Sequence, residues 1–599
     1  MNLNLEYKGG IVLKLNLDFY QRQEDELTHS EINLIKEQNE KDCKIDLGEE
    51  AYEKVIISSN IEQNILNWYP FIKESTILQI NANFGQITRM LCEKSKRVVG
   101  FEKSLKKAKI IQKNCESNEN LELIVGNWKN IKQEEKFDYI VMIGLELEEE
   151  GFSKIFERLK ELITPKGIIL IAVNNILGLR TLNGIENVVE EKKEENLVGR
   201  NEIINVINQS EISNFKFYYP LPNYKVPNII FTDNHLPSRE SILRNMALNN
   251  ENAVISFDER EVYRKMLKEN SKLFPSFANS FLVEISKEKI QNKIERVSFG
   301  NFRKPEYRLK TVILNDEVYK EEINELSKNH LLNIKENNEI LNKLNVNTLD
   351  MWKNDKIYSR LIKDIKSFDK QLIEVFNNQG IEDCIYKIKE FEEDLRYKLG
   401  KSDDKSQTVF EKYNISKIKN IKGKKLTYVK YGIFDLIFQN CFVIDNKFYF
   451  YDQEWMEKNL PLEFIIYRAI FYLGSTEKTL DVNKIYSEMG LLEYIEVFEQ
   501  LENILQEKVR SNEIWNIHAK NNKTVKNMHD EFVHIRNVTS ENHEKQMQES
   551  RNTIEIQKKE LEEKNKTIEN RENELNYIKN SKSWKITRPF RLFRKKIGE

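Results

Sequence analysis

The stretch Ile77-Leu-Gln-Ile-Asn-Ala-Asn-Phe-Gly-Gln-Ile-Thr88 decides the fold, because a short apolar strand runs through a polar turn directly into a helix. In α/β proteins, the turn after the first strand brings backbone amides and a helix N-terminus close to a ligand. Glycines are expected in such a turn, and this stretch contains one, Gly85. Asn81 and Asn83 can adopt left-handed backbone conformations at modest cost. The stretch therefore predicts a ligand-binding turn in which asparagines replace glycines.

Outward from this turn, apolar runs alternate with helical patterns at short intervals. The sequence predicts strands at 76–80, 98–101, 121–125, 139–143 and 167–173, and helices at 87–94, 105–114 and 152–163. Strands and helices that alternate at this spacing favour a parallel sheet with helices on both faces. The predicted fold class is therefore α/β, with a doubly wound, mostly parallel sheet.

Polar residues follow the second and third predicted strands. Glu102 ends the second strand about 20 residues after the turn, which suits an acid that binds a ribose diol. Asn127 and Trp128 follow the third strand, where an amide can meet an adenine edge and an aromatic ring can stack on it. We expect these residues and the turn to form one cofactor site.

These residues resemble class I S-adenosylmethionine (SAM)-dependent methyltransferases over roughly residues 55–240. The resemblance implies SAM as cofactor, with a site made of Gln79, Asn81, Asn83, Gly85, Glu102, Asn127 and Trp128. Gln79 replaces an acid of the family's first motif, and Asn81 and Asn83 replace glycines. Two interpretations stay open: retained methyl transfer, or a doubly wound domain that has lost its cofactor.

A second set of polar residues lies farther along the chain. Asp435 and Asn440 have the spacing Asp-x4-Asn, and Asp452 follows twelve residues after Asn440. Two short strands with a turn at Asp445-Asn446 are predicted between them. This layout resembles the catalytic loop, hairpin and metal-binding acid of protein kinases. The resemblance implies that Asp435 orients an acceptor hydroxyl, and that Asn440 and Asp452 bind Mg²⁺ against the phosphates of ATP.

The kinase-like pattern also needs an upstream lysine. Lys320 lies on the second strand of a predicted hairpin, which runs from 308–314 through a turn at Asn315-Asp316 to Val318-Tyr319-Lys320. A helix comes next, in which Glu336 and Glu339 are both candidates for the ion-pair partner of this lysine. No glycine-rich loop precedes Lys320, Ile433 stands where protein kinases have His, and Gln453-Glu454 replaces Phe-Gly. These departures favour the small-molecule and sugar kinase-like group. The alternative is a surface hairpin with carboxylates placed by chance.

Composition limits the class of protein. Of 599 residues, 94 are Lys or Arg and 96 are Asp or Glu, so the net charge is -2. The 20 glycines and 10 prolines exclude collagen-like and Pro/Gly-linker architectures. The five cysteines form no CxxC pair, which excludes a disulfide scaffold and suits a reducing compartment. No apolar run approaches the ~18 residues of a membrane span, and the polar N-terminus does not resemble a signal peptide. We therefore expect a soluble, cytoplasmic, multidomain protein.

The C-terminal region combines a helical repeat with a basic tail. Apolar residues recur every seven positions at Met547, Ile554, Leu561, Ile568 and Leu575, which is one seam of a coiled coil. The other seam is polar, so the coiled coil is weak, short or dependent on a partner, and we expect it to form a homo-oligomer.

Residues 581–599 carry seven basic groups and one acidic group, and Phe590, Phe593 and Ile597 share one helical face. This pattern suits an anionic membrane surface better than nucleic acid, for which no module is recognised. A solvated, disordered end is the remaining alternative.

The predicted parts follow one another in an unusual order. They are an N-terminal extension at 1–54, a methyltransferase-like domain at 55–290, a kinase-like domain at 291–515, a helical coiled-coil segment at 516–580 and a basic aromatic tail at 581–599. The order resembles the bifunctional methyltransferase–kinase proteins that modify the ends of bacterial surface polysaccharides such as O-antigen. Residues 174–184 and 218–227 and the closing Ser583-Trp-Lys-Ile-Thr-Arg-Pro-Phe-Arg591 add to this resemblance.

The resemblance implies a transferase of polysaccharide biosynthesis on the inner face of the cell membrane, with SAM and ATP-Mg²⁺ as cofactors. Its substrate would be a glycan or lipid-linked saccharide, and a glycosyltransferase would be a partner. The competing hypothesis is a non-catalytic, or one-domain-active, scaffold that docks a glycosyltransferase at the membrane. The substitutions at Gln79, Asn81 and Asn83 favour the scaffold. The set Asp435, Asn440 and Asp452 favours the enzyme.

Overall fold

The computed structural model describes residues 2–8, 11–16, 59–145, 151–183, 196–238, 257–402, 407–421, 425–587 and 591. The chain divides into two compact units, Met1–Val525 and Lys526–Glu599. The first unit contains the residues of both predicted transferase-like domains.

The strands, in chain order, are β1 Asn2–Lys8, β2 Ile11–Asn16, β3 Thr76–Ile80, β4 Arg97–Glu102, β5 Leu121–Val125, β6 Phe137–Ile143, β7 Ile163–Asn175, β8 Leu197–Val198, β9 Asn214–Leu221, β10 Ile229–Thr232, β11 Ser280–Ser286, β12 Ile294–Phe299, β13 Leu309–Leu314, β14 Glu317–Glu322, β15 Asn347–Thr348, β16 Met351–Lys353, β17 Lys356–Arg360, β18 Tyr428–Ile433, β19 Cys441–Ile444, β20 Lys447–Phe450 and β21 Met456–Pro461.

The α-helices are α1 Gln86–Lys94, α2 Leu105–Asn114, α3 Gly151–Leu162, α4 Leu179–Leu182, α5 Arg200–Asn208, α6 Glu259–Glu269, α7 Phe274–Phe277, α8 Lys328–Lys343, α9 Phe368–Gln379, α10 Ile381–Leu399, α11 Val409–Lys412, α12 Leu462–Thr476, α13 Val482–Glu488, α14 Ile495–Val509, α15 Asn512–Asn580 and α16 Lys582–Ile586. Every strand and helix predicted around the opening turn is present, and β7 is longer than predicted at both ends.

Within the described residues, one sheet joins sixteen strands in the order β1-β2-β5-β4-β3-β6-β7-β11-β9-β10-β12-β13-β14-β17-β16, with β8 paired to β7. Neighbouring strands from β5 to β7 are parallel. β11 is antiparallel to both β7 and β9. The chain passes from β3 to β4 and β5 on one side and returns to β6 and β7 on the other. In open α/β sheets, ligands bind at the carboxyl ends of the strands at such a reversal. The predicted doubly wound, mostly parallel sheet is confirmed for this half of the unit.

Alternation along the parallel strands separates the core into two layers. Leu78 and Ile80 belong to one buried apolar cluster, and Ile77 belongs to another. Because successive side chains of a strand point to opposite faces, the two clusters lie on the two faces of the sheet. Gln79 shares the face of Ile77 and is 2% exposed.

The second half of the unit is antiparallel and then helical. β10 pairs with β12, and the strands β12-β13-β14-β17-β16 follow as antiparallel neighbours. Helix α8 packs on β14 and β17. Two small sheets, β15-β20-β19 and β18-β21, lie with α9, α10, α12 and α14 around a third large apolar core.

Residues 346–500 contain more strands than the hairpin predicted between Asn440 and Asp452. The hairpin is present as β19 and β20, with φ of 50° and 57° at Asp445 and Asn446. Five further strands, β15 to β18 and β21, were not predicted. They have two to six residues each, which is too short for periodicity to separate them from loops. The turn Asn354-Asp355 between β16 and β17 has φ of 50° and 56°, the same hairpin signal as Asp445-Asn446.

The C-terminal helix α15 is 69 residues long and begins at Asn512, four residues before the predicted boundary. The seam residues are about half exposed, from 48% at Met547 to 60% at Leu561. Helix α16 follows at the start of the basic tail. The predicted apolar face at Phe590, Phe593 and Ile597 lies outside the described residues. No helix in the described part of the chain is long and apolar enough to cross a membrane.

Candidate functional site

A pocket of about 490 Å³ opens where the β12–β13 loop meets the loops of the helical region. Asp435, Asn440 and Asp452 line it, and Lys320 reaches Asp452 from β14. The four residues predicted for phosphoryl transfer are therefore brought together, although Lys320 and Asp452 are 132 residues apart in sequence.

The backbone carbonyl of Asp435 holds the two halves of the site together. Asn440 Nδ2 donates to it at 3.2 Å, and Gln453 Nε2 donates to it at 3.0 Å. Tyr451 N donates to the carbonyl of Asn440 at 3.1 Å. The loop that carries Asp435 and Asn440 is therefore fixed against the segment that carries Asp452.

Asp435 lines the pocket, and its carboxylate is also fixed by a backbone amide and an arginine. Its Oδ2 accepts a hydrogen bond from Glu454 N at 3.1 Å, and its Oδ1 lies 3.3 Å from Arg468 Nη1. Arg468 Nε pairs in turn with Glu502 Oε2 at 2.7 Å. Burial raises the pKa of Asp435, and the nearby Arg468 charge partly offsets the rise.

Asp452 has the left-handed conformation, with φ of 62°. Residues held in this region often mark functional sites, because the surroundings must stabilise them. Here Asp350 Oδ2 accepts a hydrogen bond from Asp452 N at 2.9 Å, and Asp452 Oδ1 pairs with Lys320 Nζ. Burial raises the pKa of Asp452 to about 7, with the Lys320 charge opposing the rise and the Glu454 charge adding to it.

Glu454, one of the two anionic partners of Lys320, was not among the site residues predicted from sequence. Lys320 Nζ pairs with Asp452 and with Glu454 Oε1. Glu336 and Glu339 are both exposed on α8, and Glu339 lies 3.9 Å from Lys335 instead. The expectation that one of these two helical acids pairs with Lys320 was therefore wrong. The reason is that the acid comes from the segment after β20, not from the helix.

Glu454 is the centre of a buried cluster of two cationic side chains and one imidazole. Its carboxylate pairs with Lys320, with Arg303 Nη1, and with His330 Nε2 at 3.3 Å. His330 is in turn stacked on Trp455, with ring centroids 4.4 Å apart. The surrounding positive charges hold the pKa of Glu454 well below its usual range, despite burial. Glu454 is therefore a permanent anion that can hold Lys320 in place.

Sequence patterns gave no role to Glu454, Arg303, Arg468 or Asp350. Glu454 stands only two residues after the predicted metal-binding acid, and this nearness is the one signal that pointed to it. Arg303 lies in the stretch before Lys320 that is not glycine-rich. Arg468 and Asp350 carry no sequence signal, because only the fold brings them to the site.

The opening turn folds as its asparagines suggest. Asn81 and Asn83 have φ of 61° and 49°, and Gly85 has φ of 86° at the N-terminus of α1. A Cβ at Gly85 would also lie 3.2 Å from Ile111, so this position suits only glycine. The two asparagines thus take the left-handed conformations for which glycine is usually needed.

The Asn81 side chain and the Asn83 backbone amide both make hydrogen bonds at the strand reversal. Asn81 Nδ2 donates to the carbonyl of Gly144 at 2.8 Å, across the carboxyl ends of β3 and β6. Glu102 Oε2 accepts from Asn83 N at 2.9 Å, and its Oε1 accepts from Ser104 N at 3.1 Å. Both carboxylate oxygens of Glu102 therefore already bind backbone amides.

Two of the remaining predicted cofactor residues serve local structure. Asn127 Oδ1 accepts from Lys129 N at 2.9 Å and so caps a short 3-10 helix. Trp128 is 7% exposed and belongs to the apolar cluster that contains Phe101. Gln79 Oε1 is buried and has no hydrogen-bond partner. Gln79 and Trp128 are therefore buried, and Asn127 is half-buried.

No family model matches the sequence, and no curated protein matches it. Solved structures with a similar arrangement include a SAM-dependent methyltransferase of Thermotoga maritima, with 13% identity, 40% of this chain and 91% of that chain covered, and a TM-score of 0.25. Mycolic acid cyclopropane synthase CmaA1 is 16% identical over 40% of this chain and 91% of its own, with a TM-score of 0.24. A cyclopropane-fatty-acyl-phospholipid synthase-like protein of Lactobacillus casei is 11% identical over 39% and 92%, also with a TM-score of 0.24. The methyltransferase-like fold assigned to this half of the unit rests on the strand order and the opening turn.

Proposed function

We propose that the chain is a Mg²⁺-dependent phosphotransferase that moves the terminal phosphoryl group of ATP to an acceptor hydroxyl. The observation that carries the proposal is that Asp435, Asn440 and Asp452 line one pocket and that Lys320 pairs with Asp452 there. A chance set of surface carboxylates has no reason to meet a lysine from a distant strand.

Each residue has a role that follows from its position. Asp452 and Asn440 offer oxygen ligands to Mg²⁺, and Lys320 would bind phosphate oxygens while Glu454 keeps it in place. Asp435 orients the acceptor hydroxyl and takes its proton. Bound Mg²⁺ would neutralise the charge of the phosphates.

The donor set fits this ion. Within the described residues, no group of three or more His, Cys, Asp or Glu side chains is arranged to hold a metal. Mg²⁺ does not need such a cage, because it is usually held by one or two carboxylates together with substrate phosphates and water. Asp452 and Asn440 at the pocket supply that kind of incomplete, all-oxygen site.

The residues of the methyltransferase-like half depart from the usual SAM site at two positions. The Asn81 amide is hydrogen-bonded to the Gly144 carbonyl at the strand reversal, whereas each carboxylate oxygen of Glu102 accepts a backbone amide and, like any carboxylate oxygen, can accept a second hydrogen bond, as from a ribose diol. The buried, neutral Gln79 also removes the negative charge that would favour the cofactor's amine and sulfonium. We therefore assign this half a scaffolding role, as a doubly wound domain that has kept its fold.

The biological setting of the proposal comes from the motif resemblance. The acceptor is a hydroxyl of a glycan or lipid-linked saccharide in bacterial surface polysaccharide biosynthesis, and a glycosyltransferase is the protein partner. The basic tail holds the chain on the inner face of the membrane, and the seam from Met547 to Leu575 joins copies of the chain. The half-exposed seam in a single chain supports self-association, since a second helix would cover it.

A matched pair of variants tests the proposal. Asp452→Asn removes a metal-binding charge, and Asp445→Asn removes a carboxylate from the nearby hairpin turn. Both positions have positive φ, at 62° and 50°, and asparagine tolerates that conformation. We expect Asp452→Asn to abolish Mg²⁺-dependent phosphate release from ATP and Asp445→Asn to retain it. Equal activity of Asp452→Asn and the wild-type protein would remove Asp452 from the mechanism.

A further inference from the structure

The loop between β12 and β13 occupies the place where a kinase-like fold covers the phosphates of its nucleotide. Thr311 of β13 pairs with Lys320, and Phe299 of β12 pairs with Lys310. Residues 300–308 therefore leave the sheet at the end nearest to Lys320. Protein kinases carry a glycine-rich loop at this point, whereas here the loop reads Gly300-Asn-Phe-Arg-Lys304.

Three of the five backbone amides of Gly300–Lys304 are already committed. Gly300 N donates to Leu309 O at 3.0 Å, Arg303 N to Gly300 O at 3.1 Å, and Lys304 N to Val509 O at 2.8 Å. Ser511 N donates to Phe302 O at 2.8 Å, which fixes the loop on the residues that follow α14. A loop bound in this way has fewer amides for a phosphate than a glycine-rich loop, so a side-chain group is needed to meet the phosphate charge.

Arg303 supplies that group. Its side chain lines the pocket together with Asp435 and Asp452 and is 32% exposed. One guanidinium nitrogen, Nη1, pairs with Glu454, and the guanidinium lies 5.7 Å from the centre of the Trp455 ring. Arg308 Nε donates to the Arg303 carbonyl at 2.8 Å and steadies the backbone beneath it. The guanidinium is thus held at the pocket through Nη1, and Nη1 is one of its three nitrogens.

We infer that Arg303 contacts the transferred phosphoryl group and stabilises its charge during transfer, an inference that rests on the proposed function. In that step the acceptor oxygen forms a bond to the γ-phosphorus. The bond from the γ-phosphorus to the oxygen of the β-phosphate breaks, ADP leaves, and the hydroxyl proton passes to Asp435. The planar guanidinium donates several hydrogen bonds in fixed directions, which suits the equatorial oxygens of the phosphoryl group.

The test compares Arg303→Gln with Lys304→Gln in the full-length chain. Both remove one positive charge from the same loop, but Lys304 does not line the pocket. Three quantities are measured: the rate of Mg²⁺-ATP hydrolysis with water as acceptor, the affinity for Mg²⁺-ADP alone, and the affinity for Mg²⁺-ADP with aluminium fluoride. Aluminium fluoride mimics the phosphoryl group in the transition state of its transfer.

We expect Arg303→Gln to lower the hydrolysis rate about 10²–10³-fold, as loss of a donor to a developing charge does. The tightening of Mg²⁺-ADP binding by aluminium fluoride should disappear, while affinity for Mg²⁺-ADP alone stays within threefold of wild type. Lys304→Gln should match wild type in all three. Arg303→Lys should recover only part of the rate, because lysine keeps the positive charge but lacks the planar, forked set of donors of the guanidinium.

Two results overturn the inference and are easily told apart. If the wild-type protein hydrolyses ATP and Arg303→Gln does so equally well, Arg303 does not touch the transferred group, and the proposed function stands. If Arg303→Gln weakens Mg²⁺-ADP binding as much as it slows hydrolysis, Arg303 only organises Glu454 and Lys320. A wild-type protein that neither binds nor hydrolyses Mg²⁺-ATP refutes the proposed function itself, and the inference with it.

Discussion

Replacing Glu454 with Gln removes the anion that holds Lys320 at the pocket. In the wild-type protein this carboxylate faces Lys320, Arg303 and His330, and its side chain is 3% exposed. A glutamine amide has similar size but no charge, so Lys320 would keep Asp452 as its only anionic partner. The lysine would then compete more strongly with Mg²⁺ for that carboxylate.

The size of the effect follows from the bond that is lost. A hydrogen bond to a charged group contributes about 1.5–3 kcal/mol. That free energy corresponds to a loss of about ten- to a hundredfold in Mg²⁺-ATP affinity. The Glu454 charge also raises the pKa of Asp452. The Gln variant should therefore shift the pH dependence of Mg²⁺-ATP binding to lower pH, which a loss of packing alone would not do.

The assay is calorimetric titration with Mg²⁺-ATP between pH 6 and pH 8. Glu339→Gln is the matched control, since Glu339 is 55% exposed in an i,i+4 pair with Lys335, and such pairs contribute about 0.3–0.5 kcal/mol. We expect the control to bind as the wild-type protein does. If Glu339→Gln weakens binding and Glu454→Gln does not, the helical acid is the partner of Lys320 and our description of the site is wrong.

Three further outcomes follow from the structure. Burial raises the pKa of Asp452 to about 7, so its carboxylate is mostly charged at pH 8 and mostly protonated at pH 6. The affinity of the wild-type protein for Mg²⁺-ATP should therefore fall about tenfold from pH 8 to pH 6. An affinity that does not change with pH in calorimetric titrations would contradict this. Asn81→Gly keeps the positive φ but loses the hydrogen bond to Gly144. Thermal unfolding should show a free energy of unfolding lower by about 0.5–1.5 kcal/mol, with phosphate release unchanged. Tighter binding of S-adenosylhomocysteine would confirm that Asn81 closes the crevice, and lost phosphate release would count against the scaffolding role. Gly432→Ala puts a Cβ 2.2 Å from Leu460 Cβ in the β18–β21 pair. It should lower the free energy of unfolding by about 1–3 kcal/mol in denaturant titration. Gly199→Ala should not, because the nearest atom to its added Cβ is 3.5 Å away. Equal stability of the two variants would show that β18 and β21 pack differently.

Local patterns predicted much of the first half of the unit. The strands and helices from 76 to 175 alternate in hydrophobicity over five to thirteen residues, which is long enough for the period to be read. The left-handed conformations of Asn81 and Asn83 also follow from residue type. The bridge from Asn81 to Gly144 could not be predicted, because it joins strands 63 residues apart and depends on the sheet order.

The residues of the candidate site were likewise predicted only in part. Asp435, Asn440 and Asp452 lie within eighteen residues of one another, so their spacing carried the prediction of the site. Lys320 could be placed because its hairpin and the following helix have recognisable signals. Its partner could not, since Glu454 reaches Lys320 only when the segment after β20 meets β14. The β18–β21 pair was missed for the same reason, as its two strands pair around an intervening hairpin.

The most direct test of the central claim is a pair of calorimetric titrations of the full-length chain, one with Mg²⁺-ATP and one with S-adenosylhomocysteine. We predict micromolar binding of Mg²⁺-ATP that Asp452→Asn abolishes, and no binding of S-adenosylhomocysteine at comparable concentrations. Micromolar binding of S-adenosylhomocysteine with no heat from Mg²⁺-ATP would contradict the account, because it would place the active site in the methyltransferase-like half.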